Sequence, residues 1–204
     1  MSYKTGMKGV FASKAEIISA EIDATALSTN YPDLKLRLEV QPQGQTFTTN
    51  KELATWFKKD GDPVSIASVG TTFLITRVFE QAGVNLNNEL KSIESDDPEA
   101  YADLYSRHLN KLEGKVLYYV DYANRVYNDK VRYTTHNKWY VSDKPDEDES
   151  VFPVLISDFN NANTQGYLRG RNAYRPELLD EEGGTGTLDV DVSNLKDAVE
   201  DLPF

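Results

Sequence analysis

Cysteine is absent from this 204-residue chain, and histidine occurs only twice, at His108 and His136. The lack of cysteine excludes disulfides and thiolate metal sites, and two distant histidines argue against a histidine-rich metal site. No apolar run approaches the length of a membrane span, and the first residues lack the apolar core of a signal peptide. We therefore expect a cytoplasmic protein with no membrane partner, no metal and no other cofactor.

Sequence motifs of the common enzyme classes are also missing. The chain contains no GxxxxGK[ST] phosphate loop, no GxSxG elbow, no HExxH metal motif and no glycine-rich dinucleotide fingerprint. Carboxylates at Asp96-Asp97 and at residues 146–149 suit Mg²⁺ in a nuclease, but loops of mixed acids are more typical of a solvated surface. We expect no catalysis, and a metal-dependent nuclease is a distant alternative.

Negative charge is concentrated in two segments. The net charge is −11, of which residues 180–204 contribute −7 and residues 143–149 contribute −4. Residues 1–142 hold 18 acids and 17 bases, and within them residues 107–142 carry a net +4. Because phosphate binding needs Lys and Arg, this layout leaves room for a nucleic-acid partner. The same charge layout is equally compatible with an ordinary acidic protein whose charge is unevenly distributed on one face.

The last 25 residues have little apolar surface to bury, so we predict a disordered tail. Its end, Glu200-Asp201-Leu202-Pro203-Phe204, resembles the C-terminal tip of single-stranded DNA-binding proteins. In that family an acidic tail with a short apolar-Pro-Phe end recruits replication and repair proteins. The resemblance implies that Asp201, Leu202, Pro203 and Phe204 bind replication or recombination proteins. The alternative is a solvated acidic tail with an incidental phenylalanine.

Hydrophobic patterning predicts a β-rich α+β fold. The clearest strand is residues 34–40, where leucine and valine alternate with Lys35, Arg37 and Glu39. Further strands are predicted at 10–22 (where a helix competes), in 45–57 before a short helix at 52–59, and at 116–123, 130–141 and 151–159. Helices are predicted at 71–82 and 99–112, residues 85–100 and 124–129 are expected to be loops, and residues 160–178 a polar arm.

This order fits a five-stranded OB-type barrel with one or two helices inserted between strands 3 and 4, and it fits other small α+β domains. The segment Leu112-Glu113-Gly114-Lys115, with the helix before Gly83, is similar to the middle of phage-type single-stranded DNA-binding proteins. We predict an OB-type single-stranded DNA-binding domain in 1–159, a basic glycine-containing arm in 160–179 and an acidic partner-binding tail in 180–204.

Outside the tail, the predicted strand at 130–141 gives the most information about a binding surface. Val131, Tyr133, Thr135, Trp139 and Val141 share one parity and are predicted to face the core. The opposite parity carries four cationic or titratable groups and an aromatic: Lys130, Arg132, His136, Lys138 and Tyr140. Cations follow the phosphates of a single strand and aromatic rings stack on its bases. A β-bulge would reverse the parity, so which tyrosines stack and which fill the core stays open.

We therefore predict a binding surface for single-stranded DNA that draws on several segments. Its residues are Lys35, Arg37, Trp56, Lys58, Lys59, Tyr118, Tyr122, Lys130, Arg132, His136, Lys138, Tyr140, Arg169 and Arg171. The alternatives are a solvated strand face, a buried Trp56, and an Arg-rich arm that holds the acidic tail when DNA is absent.

The resulting hypothesis is a protein of a bacterial or host-cell cytoplasm that coats single-stranded DNA during replication or recombination. It would bind without strong sequence preference and recruit partners through its tail. Self-association into a homo-oligomer is compatible with this hypothesis. The main alternative is an acidic adaptor domain that binds proteins and no nucleic acid.

Overall fold

The computed structural model describes residues 3–25, 33–56, 66–93, 97–128 and 130–179. One antiparallel sheet contains β1 (Tyr3–Lys4), β2 (Val10–Asp23), β3 (Asp33–Pro42), β4 (Thr49–Trp56), β5 (Val116–Tyr127), β6 (Lys130–Thr135) and β7 (Tyr140–Ser142). Between β4 and β5 lie α1 (Ile66–Gln81), α2 (Asn87–Leu90) and α3 (Pro98–Ser106), and α4 (Asp148–Thr164) follows β7. Short 3-10 helices span Leu109–Lys111, Gly170–Asn172 and Pro176–Leu179.

The main path of the sheet runs β4-β3-β2-β5-β6, while β1 pairs with β2 and β7 pairs with β5. Three consecutive strands therefore form a meander, and the fourth long strand returns through the helices to lie beside the first. This is the Greek-key order. Among the described residues β4 and β6 do not pair, so the sheet is open rather than closed into a barrel.

The sheet is strongly curved, as one lysine demonstrates. Lys51 on β4 donates hydrogen bonds to both carboxylate oxygens of Asp121 on β5, at 3.0 Å, and to the Thr135 hydroxyl on β6, at 2.9 Å. In a flat sheet β4 and β5 would be three strand spacings apart, about 14 Å, which is beyond the reach of a lysine side chain. The two ends of the sheet therefore approach each other across its inner face.

The inner face carries the larger core. Alternation along β3 buries Leu34, Leu36, Leu38 and Val40 completely, and their outward neighbours on β3 stay partly exposed. Phe79 of α1 and Tyr105 of α3 stack over this face with ring centroids 5.4 Å apart. The helices between β4 and β5 thus cover the inner face, as expected for elements that must bury an apolar stripe.

A second core lies on the outer face, where α4 packs against β2 and β5. Val151, Phe152, Leu155 and Phe159 project from one side of α4 at helical spacing onto Tyr118, Val120 and Tyr122. β5 is consequently buried on both faces, which explains its nearly continuous apolar sequence.

Most predicted elements are confirmed, with five differences. The strand at 10–22 is β2, so the competing helix is wrong, and β3, α1 and α3 match their predictions. The predicted short helix is wrong for residues 52–56, which belong to β4. The predicted strand 151–159 and the first part of the predicted arm are helical and form α4, so the division at residue 159 falls inside a helix. The predicted loop 124–129 is mostly strand, and α2 lies in the predicted loop 85–100. The predicted strand 130–141 is interrupted, because β6 ends at Thr135 and β7 begins at Tyr140.

Within the described part of the chain, no helix has both the length and the apolar character required to cross a membrane.

Candidate nucleic-acid interface

The hairpin formed by β5 and β6 ends in residues that are largely exposed. Its tip, residues 125–128 and 130–133, turns at Asn128, whose φ of 51° lies in the left-handed region that asparagine tolerates. A register shift between Ala123 and Arg125 precedes the tip. This bulge resets the alternation, so the faces of the tip cannot be deduced by counting along β5 from Tyr118.

The outer face of the tip is cationic. Cross-strand pairing places Arg125 opposite Arg132 and Tyr127 opposite Lys130, so these four side chains share one face. Arg125 and Lys130 are exposed and Arg132 is half-buried. None of the three cations forms an ion pair with any residue that the structure describes. Their charges are therefore available to a phosphate.

Exposed aromatic rings lie on both faces of the tip. Tyr127 is 49% exposed, and the Arg132 guanidinium lies 5.6 Å from its ring centroid on the outer face. On the inner face, Tyr133 is 38% exposed and contacts the edge of Phe11 at 5.5 Å. Tyr133 thus lies on the inner, core-side face as predicted, but it remains partly exposed.

The two predicted cations on β3 are neutralised by neighbouring acids. Arg37 pairs with Asp23 at 2.8 Å, with Glu52 at 3.0 Å and with Glu21 at 3.5 Å. Lys35 lies 3.5 Å from Glu52. The hydrogen bond to Glu52 raises the pKa of Arg37 above its usual range. A phosphate would have to displace these carboxylates, so β3 is a poorer anion site than the hairpin tip.

Tyr118 and Tyr122 fill the outer core, so their rings are not accessible for base stacking in this fold. Tyr118 is fully buried, and its hydroxyl donates to the Lys144 carbonyl at 2.9 Å and accepts from the Glu147 N–H at 3.2 Å. Tyr122 is 2% exposed and packs on Phe159, and burial raises the pKa of its hydroxyl to about 12. The predicted role of both rings in stacking is wrong, because α4 covers this face.

The remaining predicted residues of the 130–141 segment lie beside α4. His136 is 4% exposed, and burial lowers its pKa to about 4, so the imidazole is neutral at pH 7 and is not a cation for phosphate. Lys138 pairs with Asp158 of α4 at 3.1 Å. Tyr140 is half-buried against Tyr118, whereas Trp139 and Val141 are buried in the inner core as predicted.

The predicted arm is partly fixed to the sheet. The Arg175 N–H donates to the Ala123 carbonyl at 2.9 Å, and Tyr174 packs on Phe159. Arg169 is exposed, with its Nε donating to the Gly166 carbonyl. The side chains of Trp56 and Arg171, the residues Lys58 and Lys59, and the tail with Asp201, Leu202, Pro203 and Phe204 lie outside the described residues.

Two residues of the tip, Arg125 and Tyr127, were missed because they were assigned to a loop. The alternation of Arg-Val-Tyr before Asn128 and Lys-Val-Arg-Tyr after it is the signal that identifies a hairpin with a short turn. Lys51 and Asp121 were also missed, because nothing local indicates that β4 and β5 approach each other. Among the described residues, no three potential ligands lie close enough to hold a metal ion.

Comparison with models of known families, with curated proteins and with solved structures found no match for this chain.

Proposed function

We propose that the protein binds single-stranded DNA without strong sequence preference, and that the tip of the β5–β6 hairpin is its main contact. The observation that carries this proposal is the outer face of the tip, where three cations without carboxylate partners among the described residues surround an exposed tyrosine. Cations that follow phosphates, combined with a ring that stacks on a base, are the components of sequence-tolerant single-strand binding.

The topology supports the same function. The Greek-key order of five long strands, with helices between the third and fourth, is what an OB-type domain requires, and such domains are partly open barrels. OB-type domains bind oligonucleotides through the face of strands 2 and 3 and through the loops between strands 1 and 2 and between strands 4 and 5. The β5–β6 turn is the loop between strands 4 and 5 in this chain. The proposed fold class is therefore a five-stranded, incompletely closed OB-type barrel.

The electrostatic part of the proposal is tested by removing the three cations together. Binding of a labelled single-stranded oligonucleotide is measured at several salt concentrations for the native chain and for the triple variant Arg125→Ala, Lys130→Ala, Arg132→Ala. Each phosphate contact contributes about 0.7 to the slope of log K against log salt for a single strand, so the variant should lose about 2 from that slope.

A charge-matched control separates a local effect from a change of net charge. Lys91, Arg107 and Lys111 are exposed cations on the helical side of the molecule. Their triple alanine variant should keep the native slope. Equal losses in both triple variants would contradict a site at the hairpin tip. Absence of binding by the native chain at low salt would overturn the proposal and favour the acidic adaptor.

The stacking part is tested at Tyr127. Tyr127→Ala should weaken oligonucleotide binding by about 1–3 kcal/mol, the usual value of one base–aromatic stack. Tyr127→Phe keeps the ring and should bind like the native chain. If Tyr127→Ala binds as tightly as Tyr127→Phe, the ring does not stack on a base.

The proposed role of the tail is recruitment of replication or recombination proteins through Leu202, Pro203 and Phe204. It is supported by the acidic sequence and its end, which resemble the tips of single-stranded DNA-binding proteins. Deleting Asp201 to Phe204 should abolish co-purification of such a partner and leave DNA affinity intact.

A further inference from the structure

A cavity of about 610 Å³ lies on the outer face of the sheet, between the end of β6, the C-terminal half of α4 and the segment that follows it. This volume is within the range of small-molecule sites and exceeds what one base requires. Four of its lining residues carry side-chain amides: Asn137, Asn161, Gln165 and Asn172. We call this cavity the amide pocket.

The lining of the amide pocket mixes polar and apolar surface and is nearly neutral. Its two charged residues, Lys138 and Asp158, neutralise each other in an ion pair at 3.1 Å. Each amide offers both donors and acceptors, as does the edge of a nucleobase. A free phosphate or a carboxylate would find no unpaired charge among these residues, so the chemistry favours a neutral ligand with mixed donors and acceptors.

A histidine with an unsatisfied nitrogen lies in the wall of the pocket. His136 is 4% exposed, and its Nε2 has no hydrogen-bond partner among the described residues. The Nε2 atom itself is buried and does not face the cavity, so His136 contributes to the pocket as a part of its wall whose surroundings change when the cavity is filled. Because burial keeps the imidazole neutral at pH 7, its ring nitrogens comprise one donor and one acceptor.

The pocket adjoins the outer face of the hairpin tip, the proposed contact with DNA. Thr134 lines the pocket and shares the outer face of β6 with Lys130 and Arg132. Thr134 lies two positions after Arg132 on the strand, a distance of about 7 Å. Tyr167, which also lines the pocket, exposes 73% of its surface. A strand whose phosphates bind the tip cations therefore passes the mouth of the pocket.

We infer that the amide pocket binds one nucleobase of the bound strand, which turns out of the stack so that the amides contact its edge and Tyr167 covers its face. This inference rests on the proposed function and adds a base-reading subsite to it. Single-stranded nucleic acids are commonly recognised in this way, through splayed bases with hydrogen bonds to their edges. One such subsite gives a preference at one position, while the phosphate contacts bind the rest of the strand regardless of sequence.

The first experiment detects the pocket without DNA. The chain has only two histidines, so imidazole NMR signals distinguish His136 in the pocket from His108 near α3. Deoxyadenosine, deoxycytidine, deoxyguanosine and thymidine are titrated separately into the full chain, with deoxyribose as the control. At least one nucleoside should shift the His136 signals and leave those of His108 unchanged. A shift that deoxyribose reproduces, or no shift with any nucleoside, overturns a base-binding pocket.

The second experiment measures base preference in the polymer. Affinities for homopolymers of the four deoxynucleotides should differ by about fivefold or more, the value of one good base contact. Asn161→Leu should remove the preference while leaving the salt slope unchanged. Asn160→Leu is the matched control, because Asn160 is exposed on α4 and is not among the residues that line the pocket. Ala162→Phe fills the cavity by another route and should act like Asn161→Leu.

The two experiments separate the possible failures. If oligonucleotides bind with the salt slope expected of the tip but His136 never responds and no base is preferred, the pocket inference is wrong and the proposed function stands. If no oligonucleotide binds, the proposed function fails together with the subsite that rests on it. A preference that survives in both Asn161→Leu and Ala162→Phe also overturns the pocket.

Discussion

The hydroxyl of Tyr118 joins β5 to the start of α4. It donates to the Lys144 carbonyl and accepts from the Glu147 N–H, two backbone groups that immediately precede the helix. The ring itself packs edge-on against Phe152 at 5.5 Å. A tyrosine that a sequence pattern marks as a base-stacking residue is therefore an anchor of the outer core.

Replacing Tyr118 by phenylalanine distinguishes the two roles. Tyr118→Phe keeps the ring but leaves two backbone groups without their partner, so the free energy of unfolding should fall by about 1–3 kcal/mol. Urea unfolding measures this change. Tyr127→Phe removes an exposed hydroxyl and should leave stability within about 0.5 kcal/mol of the native value. Equal stability of the two variants, or weaker DNA binding by folded Tyr118→Phe, would contradict the anchor role.

The sequence predicted correctly which types of residue meet at the candidate site, but not which way their side chains face. The expectation that cations and tyrosines meet on the β5–β6 hairpin agrees with Lys130, Arg132 and Tyr127 on one face. The sequence did not predict which tyrosines are exposed, because the bulge after Ala123 changes the parity and α4 covers Tyr118 and Tyr122. Neither the bulge nor the covering helix has a local signal in the sequence of β5.

Helix α4 determines which part of the outer face remains available. Its sequence from 151 to 159, Val-Phe-Pro-Val-Leu-Ile-Ser-Asp-Phe, is rich in strand formers and contains Pro153, so local propensity favours a strand. The observed spacing of the buried residues 151, 152, 155 and 159 is helical, and burial against β5 outweighs the propensity. Pro153 is the sixth residue of α4, so it removes one i→i−4 hydrogen bond of the helix, and it lies on the exposed side.

The packing of α4 is tested through Phe159, which is fully buried and contacts Tyr122, His136 and Tyr174. Phe159→Ala should lower the free energy of unfolding by about 3–5 kcal/mol, through lost burial and the cavity it leaves. Val154→Ala on the same helix is the control. Val154 is 57% exposed, so its loss should change stability by no more than about 0.5 kcal/mol. Chemical denaturation measures the free energy of unfolding of both variants. Comparable losses would show that α4 is not anchored by Phe159.

The order of elements was largely predictable, because it depends on hydrophobic periodicity over long segments. The alternation in β3 and the helical spacing in α1 both gave the correct element, and the helices between the third and fourth long strands were placed correctly. Curvature was not predictable, since the contact of Lys51 with Asp121 joins residues 70 positions apart. Residues 57–65 and 180–204 are outside the described residues, so the predictions made for them remain untested.

If the body of the protein binds DNA as proposed, the acidic tail should oppose that binding. Residues 180–204 carry −7 of the net −11. Removing them should strengthen binding of a single-stranded oligonucleotide at low salt, because like charges near the site no longer repel the strand. The gain should shrink as salt rises, since the Debye length falls to about 8 Å at physiological ionic strength.

Filter binding of the full chain and of a chain ending at Leu179 measures this effect at two salt concentrations. Phe204→Ala is the control, because it keeps every charge of the tail and should not alter DNA affinity. Weaker DNA binding after truncation would show that the tail contributes contacts to the DNA rather than repulsion.

The contact of Lys51 with Asp121 and Thr135 also limits the space between the two ends of the sheet. One lysine side chain and one carboxylate bridge the gap between the two ends of the curved sheet. The bridge and the core beside it fill the inner face, so they leave no space there for a strand of nucleic acid. Under the proposed function, a bound strand would therefore run along the outer face, where the cations of the hairpin tip and the amide pocket lie.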